Sequence, residues 1–158
     1  MSRKLAIFLP IFLGGLLLDQ LTKGWVLHSL TLGAQVPVVN GFFNLVHVHN
    51  RGAAFGLLAG LSPTFAPLFF IGTTSLVLAV VGYLLWRLPP SHTRSALGYS
   101  LIIAGAAGNL LDRLRLGVVV DFLDFYLGTY HWPAFNVADT LVCLGAGVLV
   151  WVILKDEA

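Results

Sequence analysis

Between Gly52 and Trp86 the chain carries no charged residue. A run of that length has few ways to fold in water, whereas a bilayer needs only about 20 mostly apolar residues to be crossed by a helix. The helical part is predicted over Phe65–Trp86, after a Ser62-Pro63 start signal. Composition agrees: of 158 residues, 58% are apolar and 10% charged, with a mean hydropathy of +0.89. Soluble domains carry about 25% charged residues, so the chain reads as a membrane protein.

Three more spans are expected, over residues 5–27, 95–114 and 134–154, the last with Pro133 near its N-terminus. They leave loops over residues 28–64 and 115–133 on one side, in a single domain over residues 1–158. Arg3-Lys4 before an apolar run resembles the start of a signal peptide, but no small-x-small cleavage site follows a short core. The expectation is an uncleaved first transmembrane helix. Arg3, Lys4, Arg87, Arg94 and Lys155 fall on the side of the termini, and Lys23, Arg51, Arg113 and Arg115 on the other. Five basic residues against four place both termini in the cytoplasm.

A net charge of +2, scattered along the chain, argues against a nucleic-acid partner. No GxGxxG, P-loop or CxxC pattern is present. Cys143 is the single cysteine, so no intramolecular disulfide forms, and it reads as a small hydrophobe in an apolar helix.

The loops are not plain linkers. Val36-Pro37-Val38-Val39 and Phe42–His49 flank Asn40-Gly41, which predicts an antiparallel hairpin at the membrane surface. The second loop, Arg115–Trp132, carries Asp121 and Asp124 among Phe122, Phe125, Tyr126, Tyr130 and Trp132. Such aromatic density suits the bilayer interface. The fold class expected is therefore an all-α membrane protein of four transmembrane helices with a small β element, a periplasmic hairpin or cradle.

Five of the seven acidic residues lie in or beside apolar stretches: Asp19, Asp112, Asp121, Asp124 and Asp139. An unpaired charge at the centre of a bilayer costs about 2.5–3.5 kcal/mol or more, so such residues are rare and usually functional. Asp121 and Asp139 also lack a basic residue within four positions. The polar groups run in order: Asp19-Gln20-Leu21-Thr22-Lys23; Asn50-Arg51-Gly52-Ala53-Ala54-Phe55; Gly105–Arg113, with Gly108, Asn109, Asp112 and Arg113; Val120-Asp121-Phe122; and Phe135-Asn136-Val137-Ala138-Asp139. Two of these share an N-x-x-D spacing, which puts each Asn on the same helical face as its Asp. All converge on one membrane face, which points to a single site.

Each carboxylate also has a plainer reading. Asp19 and Lys23, four apart on a helix, make a structural ion pair. Asp112, beside Arg113 and near Arg115, balances charge or positions a substrate. Asp124 in a surface loop is explained by solvation. Asp139, one to two turns inside an apolar helix with only Asn136 for polar company, resists such readings. His47 and His49 alternate on a strand and share a face, yet no third metal ligand suggests itself. Ser29 and Ser62 have no evident His partner for nucleophilic chemistry. Ala104/Gly108 and Gly145-Ala146-Gly147 suit close helix packing.

In this order the five groups resemble the lipoprotein signal peptidases (signal peptidase II), bacterial aspartyl proteases of the inner membrane. The likeness covers nearly the whole chain, with G-N-x-x-D-R, V-x-D-F and F-N-x-A-D as its most specific motifs. Arg51 departs from it, standing where the family often has a small polar residue. The resemblance implies a substrate whose lipobox cysteine carries a diacylglyceryl group, cleaved just before that cysteine. It implies Asp121 and Asp139 as the catalytic pair. Asp19, Lys23, Asn50, Gly52, Gly108, Asn109, Asp112, Arg113, Asn136 and Ala138 would support or line the site. The hairpin would be the family's cradle and the loop around Asp124–Trp132 a flap over the substrate; with Asp139 on a rigid helix and Asp121 on the loop, closure of that flap is expected to complete the dyad. The resemblance implies globomycin-type inhibitors; the carboxylate chemistry requires no metal or organic cofactor, and a monomer in contact with membrane lipids is expected.

Two close carboxyls cannot both ionise cheaply, so they share a proton: one activates water, the other donates to the scissile carbonyl. A proton-coupled transporter is the chief rival, but repeats and midplane charges are missing from the sequence. A purely structural subunit leaves the one-sided polar clustering unexplained.

Overall fold

The computed structural model describes residues 3–52 and 65–155, with side chains of the second helix described from residue 67 onward. Ser62-Pro63 and Ala53-Ala54-Phe55 lie outside the described residues. Helix α1 spans Arg3–Ser29, α2 Phe65–Arg87, α3 Thr93–Leu116 and α4 Val137–Leu154. Strands β1 (Gln35–Val39) and β2 (Phe43–Asn50) follow α1, while β3 (Val119–Leu127) and β4 (Tyr130–His131) connect α3 to α4.

Among the described residues three helices are long and apolar enough to cross a membrane: Arg3–Ser29, Pro67–Arg87 and Val137–Leu154. Helix α3 differs from them. It packs against α1, α2 and α4, and its buried face is built from small residues: Ser95, Ala96, Gly98, Ser100, Ala104, Gly105, Ala106 and Gly108. In lipid, where apolar burial gives little driving force between helices, close backbone approach supplies the contact. A Cβ on Gly105 would overlap the Ala138 carbonyl, and one on Gly145 the Gly98 carbonyl, so α3 and α4 meet backbone to backbone. Gly147 faces open space and takes no part.

The hairpin predicted from Asn40-Gly41 is present: β1 pairs antiparallel with β2, and Gly41 has φ 82°. The second loop is not irregular. There β3 pairs antiparallel with β2, Asn50 opposite Val119 and Val48 opposite Asp121, in a four-stranded sheet of order β1-β2-β3-β4. The cause is visible in the Val118–Leu127 segment, dense in β-branched and aromatic residues that fit a pleated surface. Asp121, expected in a loop, therefore sits on a paired strand.

Two helix ends aim the chain into this sheet. Gly117, with φ 72°, caps α3 by donating its N–H to the Arg113 carbonyl at 3.0 Å, so β3 starts directly below Asp112. Helix α4 begins at Val137, later than residue 134, because Asn136 is its N-cap. At the opposite end Lys4 Nζ donates to the carbonyls of Leu85, Trp86 and Leu88 (3.2, 2.6 and 2.8 Å), capping α2 with the start of α1.

Candidate active site

Lys23 is the hub of the polar end. It is 1% exposed, and its three ammonium donors meet three acceptors: Asp19 Oδ2, Asp112 Oδ2 and Asn109 Oδ1, each at 2.9 Å. Asp19, fully buried, accepts the Ala138 N–H at 2.9 Å through Oδ1, placing a carboxylate at the positive N-terminus of α4. A Cβ on Gly108 would overlap that carboxylate, so glycine is what lets Asp19 reach across. Asp112 accepts the Val120 N–H at 3.2 Å and so ties α3 to β3. Its partner is Lys23 and not Arg113 or Arg115 as the sequence suggests: the adjacent Arg113 faces another way, and Arg115 donates to Gln20 Oε1 at 3.3 Å. Gln20, absent from the expected site, donates to both Asp19 (3.1 Å) and Asp112 (2.9 Å).

The other two acids are held without a cation in contact. Asp121, 2% exposed, accepts from Asn136 Nδ2 at 2.7 Å and from Asn50 Nδ2 at 2.9 Å. Asn50 is fixed in turn by the Gly52 N–H at 2.7 Å; Gly52 has φ 92°, and a Cβ there would overlap the Phe70 ring. Asp139 accepts from Asn109 Nδ2 at 2.8 Å, and it forms a reciprocal capping box with Asn136, whose Oδ1 accepts the Asp139 N–H at 2.9 Å. Asp139 thus occupies the first turn of α4, not one to two turns inside. Asn136 is not its only polar neighbour, for Asn109 reaches it from α3. Arg113 donates to the Asn109 carbonyl at 3.3 Å and lies 5.5 Å above the Phe70 ring.

Asn136 is the bridge. One amide touches Asp121 and caps the helix that carries Asp139, so the two carboxyls sit at one corner of the site. Both line a cavity of about 990 Å³ walled by Val48–Arg51, Trp132–Phe135 and the α4 face from Asp139 to Leu144. Burial foremost, helped by the Asp139 charge and opposed by the hydrogen bonds from Asn50 and Asn136, pushes the Asp121 carboxyl up to about 6. Such a group keeps its proton far longer than an ordinary aspartate.

The chain belongs to the signal peptidase II family. The family model described as "Signal peptidase (SPase) II" matches residues 11–155. A lipoprotein signal peptidase of Desulforapulum autotrophicum is 50% identical over 140 residues, 89% of this chain and 86% of that one. One of Geobacter sulfurreducens is 42% identical over 151 residues, 96% and 93% of the two chains. A solved bacterial membrane enzyme superposes with TM-score 0.81 at 31% identity, over 94% of this chain and 87% of its own. As a signal peptidase II the protein is a protease, and its apolar helices make it a membrane protein.

Other expectations need correcting. Asp124 is not a solvated surface acid: it is 6% exposed and accepts from Asn44 Nδ2 at 2.8 Å and His131 Nδ1 at 2.9 Å. Cys143 is exposed, lining the cavity wall instead of packing as a buried hydrophobe. His47 donates Nδ1–H to the Leu30 carbonyl at 2.8 Å, which leaves its Nε2 to accept from His49 at 3.1 Å. Among the described residues no group of three or more His, Cys, Asp or Glu is arranged to hold a metal.

Proposed function

We propose that the protein is a membrane aspartyl endopeptidase that removes the signal peptide from diacylglyceryl-modified prolipoproteins, cutting just before the lipidated cysteine. The observation that carries this reading is the Asn136 bridge, which ties Asp121 and Asp139 together at a common cavity. A water held between the carboxyls loses a proton to the ionised member and attacks the scissile carbonyl. The protonated member donates to the carbonyl oxygen, giving a tetrahedral gem-diol. As the C–N bond breaks, the first member passes the water's proton to the leaving amine nitrogen, and the second regains a proton from a gem-diol hydroxyl. The raised Asp121 suits it to hold the shared proton.

The architecture fits a substrate anchored in lipid. The whole chain acts as one domain, with α3 as a fourth span shielded by the other three. Both termini lie in the cytoplasm of a bacterial inner membrane, and the sheet and cavity lie at its periplasmic face, where the anchor holds the cleavage site at a matching depth. The enzyme works as a monomer without metal, and globomycin-type cyclic peptides inhibit it by occupying the cavity. Gly52, Gly108, Asn109, Arg113 and Ala138 act as supports for the pair, alongside the Lys23 cluster.

Purified Asp121→Asn and Asp139→Asn proteins, folded in membranes or detergent, are each expected to cleave a lipid-modified precursor at least about a thousandfold more slowly than the unaltered enzyme. Substantial cleavage by either would remove the assignment.

A further inference from the structure

We propose that Asp124, outside the catalytic pair, is a positioning residue: through His131 it fixes the Trp132-Pro133-Ala134 wall of the cavity and so governs substrate binding. The inference rests on the reading of the cavity as the peptidase site.

A buried carboxylate is costly unless hydrogen-bonded, and Asp124 is supplied from both sides. Asn44 on β2 donates to Oδ2 at 2.8 Å, while His131 on β4 approaches both oxygens at 2.9 and 3.1 Å. One acid on β3 thereby joins three strands. The His131 ring lies flat on Tyr126, with centroids 4.8 Å apart and planes 6° apart, and Tyr126 takes the Gly41 N–H on its hydroxyl at 2.9 Å.

From β4 the chain runs straight into Trp132, Pro133 and Ala134, which line the same cavity as Asp121 and Asp139. This three-residue arch is tethered to the two neighbours of Asp124. The Trp132 N–H donates to the Phe125 carbonyl at 2.8 Å, and the Phe135 N–H to the Leu123 carbonyl at 3.1 Å. Between these anchors Pro133 has no N–H to give. The entry of the arch at His131 is held by the Tyr126 stack and by Asp124, and Asp124 is the charged hydrogen-bonding member of that hold on the side chain. The catalytic carboxyls do not depend on it: their hydrogen bonds come from Asn50, Asn109 and Asn136.

The separation gives the test. Steady-state cleavage of a diacylglyceryl-modified prolipoprotein by the full-length protein is measured for Asp124→Ala, His131→Phe and His131→Asn, with melting temperatures recorded beside it. Asp124→Ala is expected to raise KM roughly tenfold with kcat within about twofold, as a displaced substrate wall should. His131→Phe raises KM by about threefold, and His131→Asn, whose amide N–H stands in for the ring Nδ1–H, restores it. Unchanged KM with only a lowered melting temperature, or a fall in kcat at constant KM, would overturn the proposal. If Asp124→Ala does not fold, the His131 pair decides alone, since that side chain is 45% exposed. Failure of the site reading looks different: Asp121→Asn would then stay active, whatever KM the Asp124 variants show.

Discussion

Two pairs of acids lie at the same end of this molecule and have opposite characters. Asp19 and Asp112 surround Lys23, whose three donors are all satisfied, and the cluster knots α1 to α3, α4 and β3. Asp121 and Asp139 are held only by amides, and both open onto a cavity. Residue type is shared, and all but the half-buried Asp139 are buried; the partner set differs. A carboxylate neutralised by a cation becomes structure, whereas one supported by neutral donors beside a second acid is left ready to exchange a proton. Asn109 belongs to both clusters, accepting from Lys23 and donating to Asp139, so the knot is tied directly to the proposed catalytic pair.

The sharpest break in this contrast is removal of the cation. Lys23→Met leaves Asp19 and Asp112 buried without a counter-charge, and is expected to cost about 3–5 kcal/mol of stability, read by unfolding in detergent. A variant that melts like the unaltered protein would mean that the knot holds nothing together. Removing the bridge should come next. Asn136→Ala takes away a donor to Asp121 and the cap of α4, and is expected to slow cleavage on the order of a hundredfold. The same loss of the cap should cost about 1 kcal/mol of stability. A drop in stability with unchanged turnover would separate the bridge from the chemistry.

The smallest effect has the most telling sign. Asp121 titrates at about 6 in the fold against 3.8 unperturbed, so between these values the folded state holds the proton that the unfolded state has released. Stability therefore falls as pH rises through that window and stays lowered above it. Asp121→Asn removes this penalty. The variant is expected to be more stable than the unaltered protein at pH 8, on the order of 1–3 kcal/mol, with the gain vanishing below about pH 4. The corresponding scan of the Lys23 cluster should show only losses.

Much of this was readable in the chain because the signals are local. Asn40-Gly41 marks its hairpin, and Asp19 and Lys23 meet at helical spacing. What escaped depends on partners far away in sequence. Asp124 looks like a loop acid until Asn44, 80 residues distant, comes to lie beside it. Asp112 seems matched to Arg113 until α1 brings Lys23 to the other face of α3. Strand β3 was hidden by its own composition, since aromatics that suit a bilayer interface suit a sheet equally well. Asp139 looked deep in a helix only because the cap at Asn136 starts α4 later than the apolar run implies.

If Asp121 and Asp139 share one proton as proposed, titration of their carboxyls will read it. In protein with isotopically labelled aspartate, followed by NMR in detergent micelles, the Asp121 carboxyl is predicted to titrate near 6. In Asp139→Asn it should move down toward the ordinary carboxylate range, as the like charge disappears. An Asp121 that titrates as an ordinary aspartate and ignores the loss of Asp139 would contradict the account.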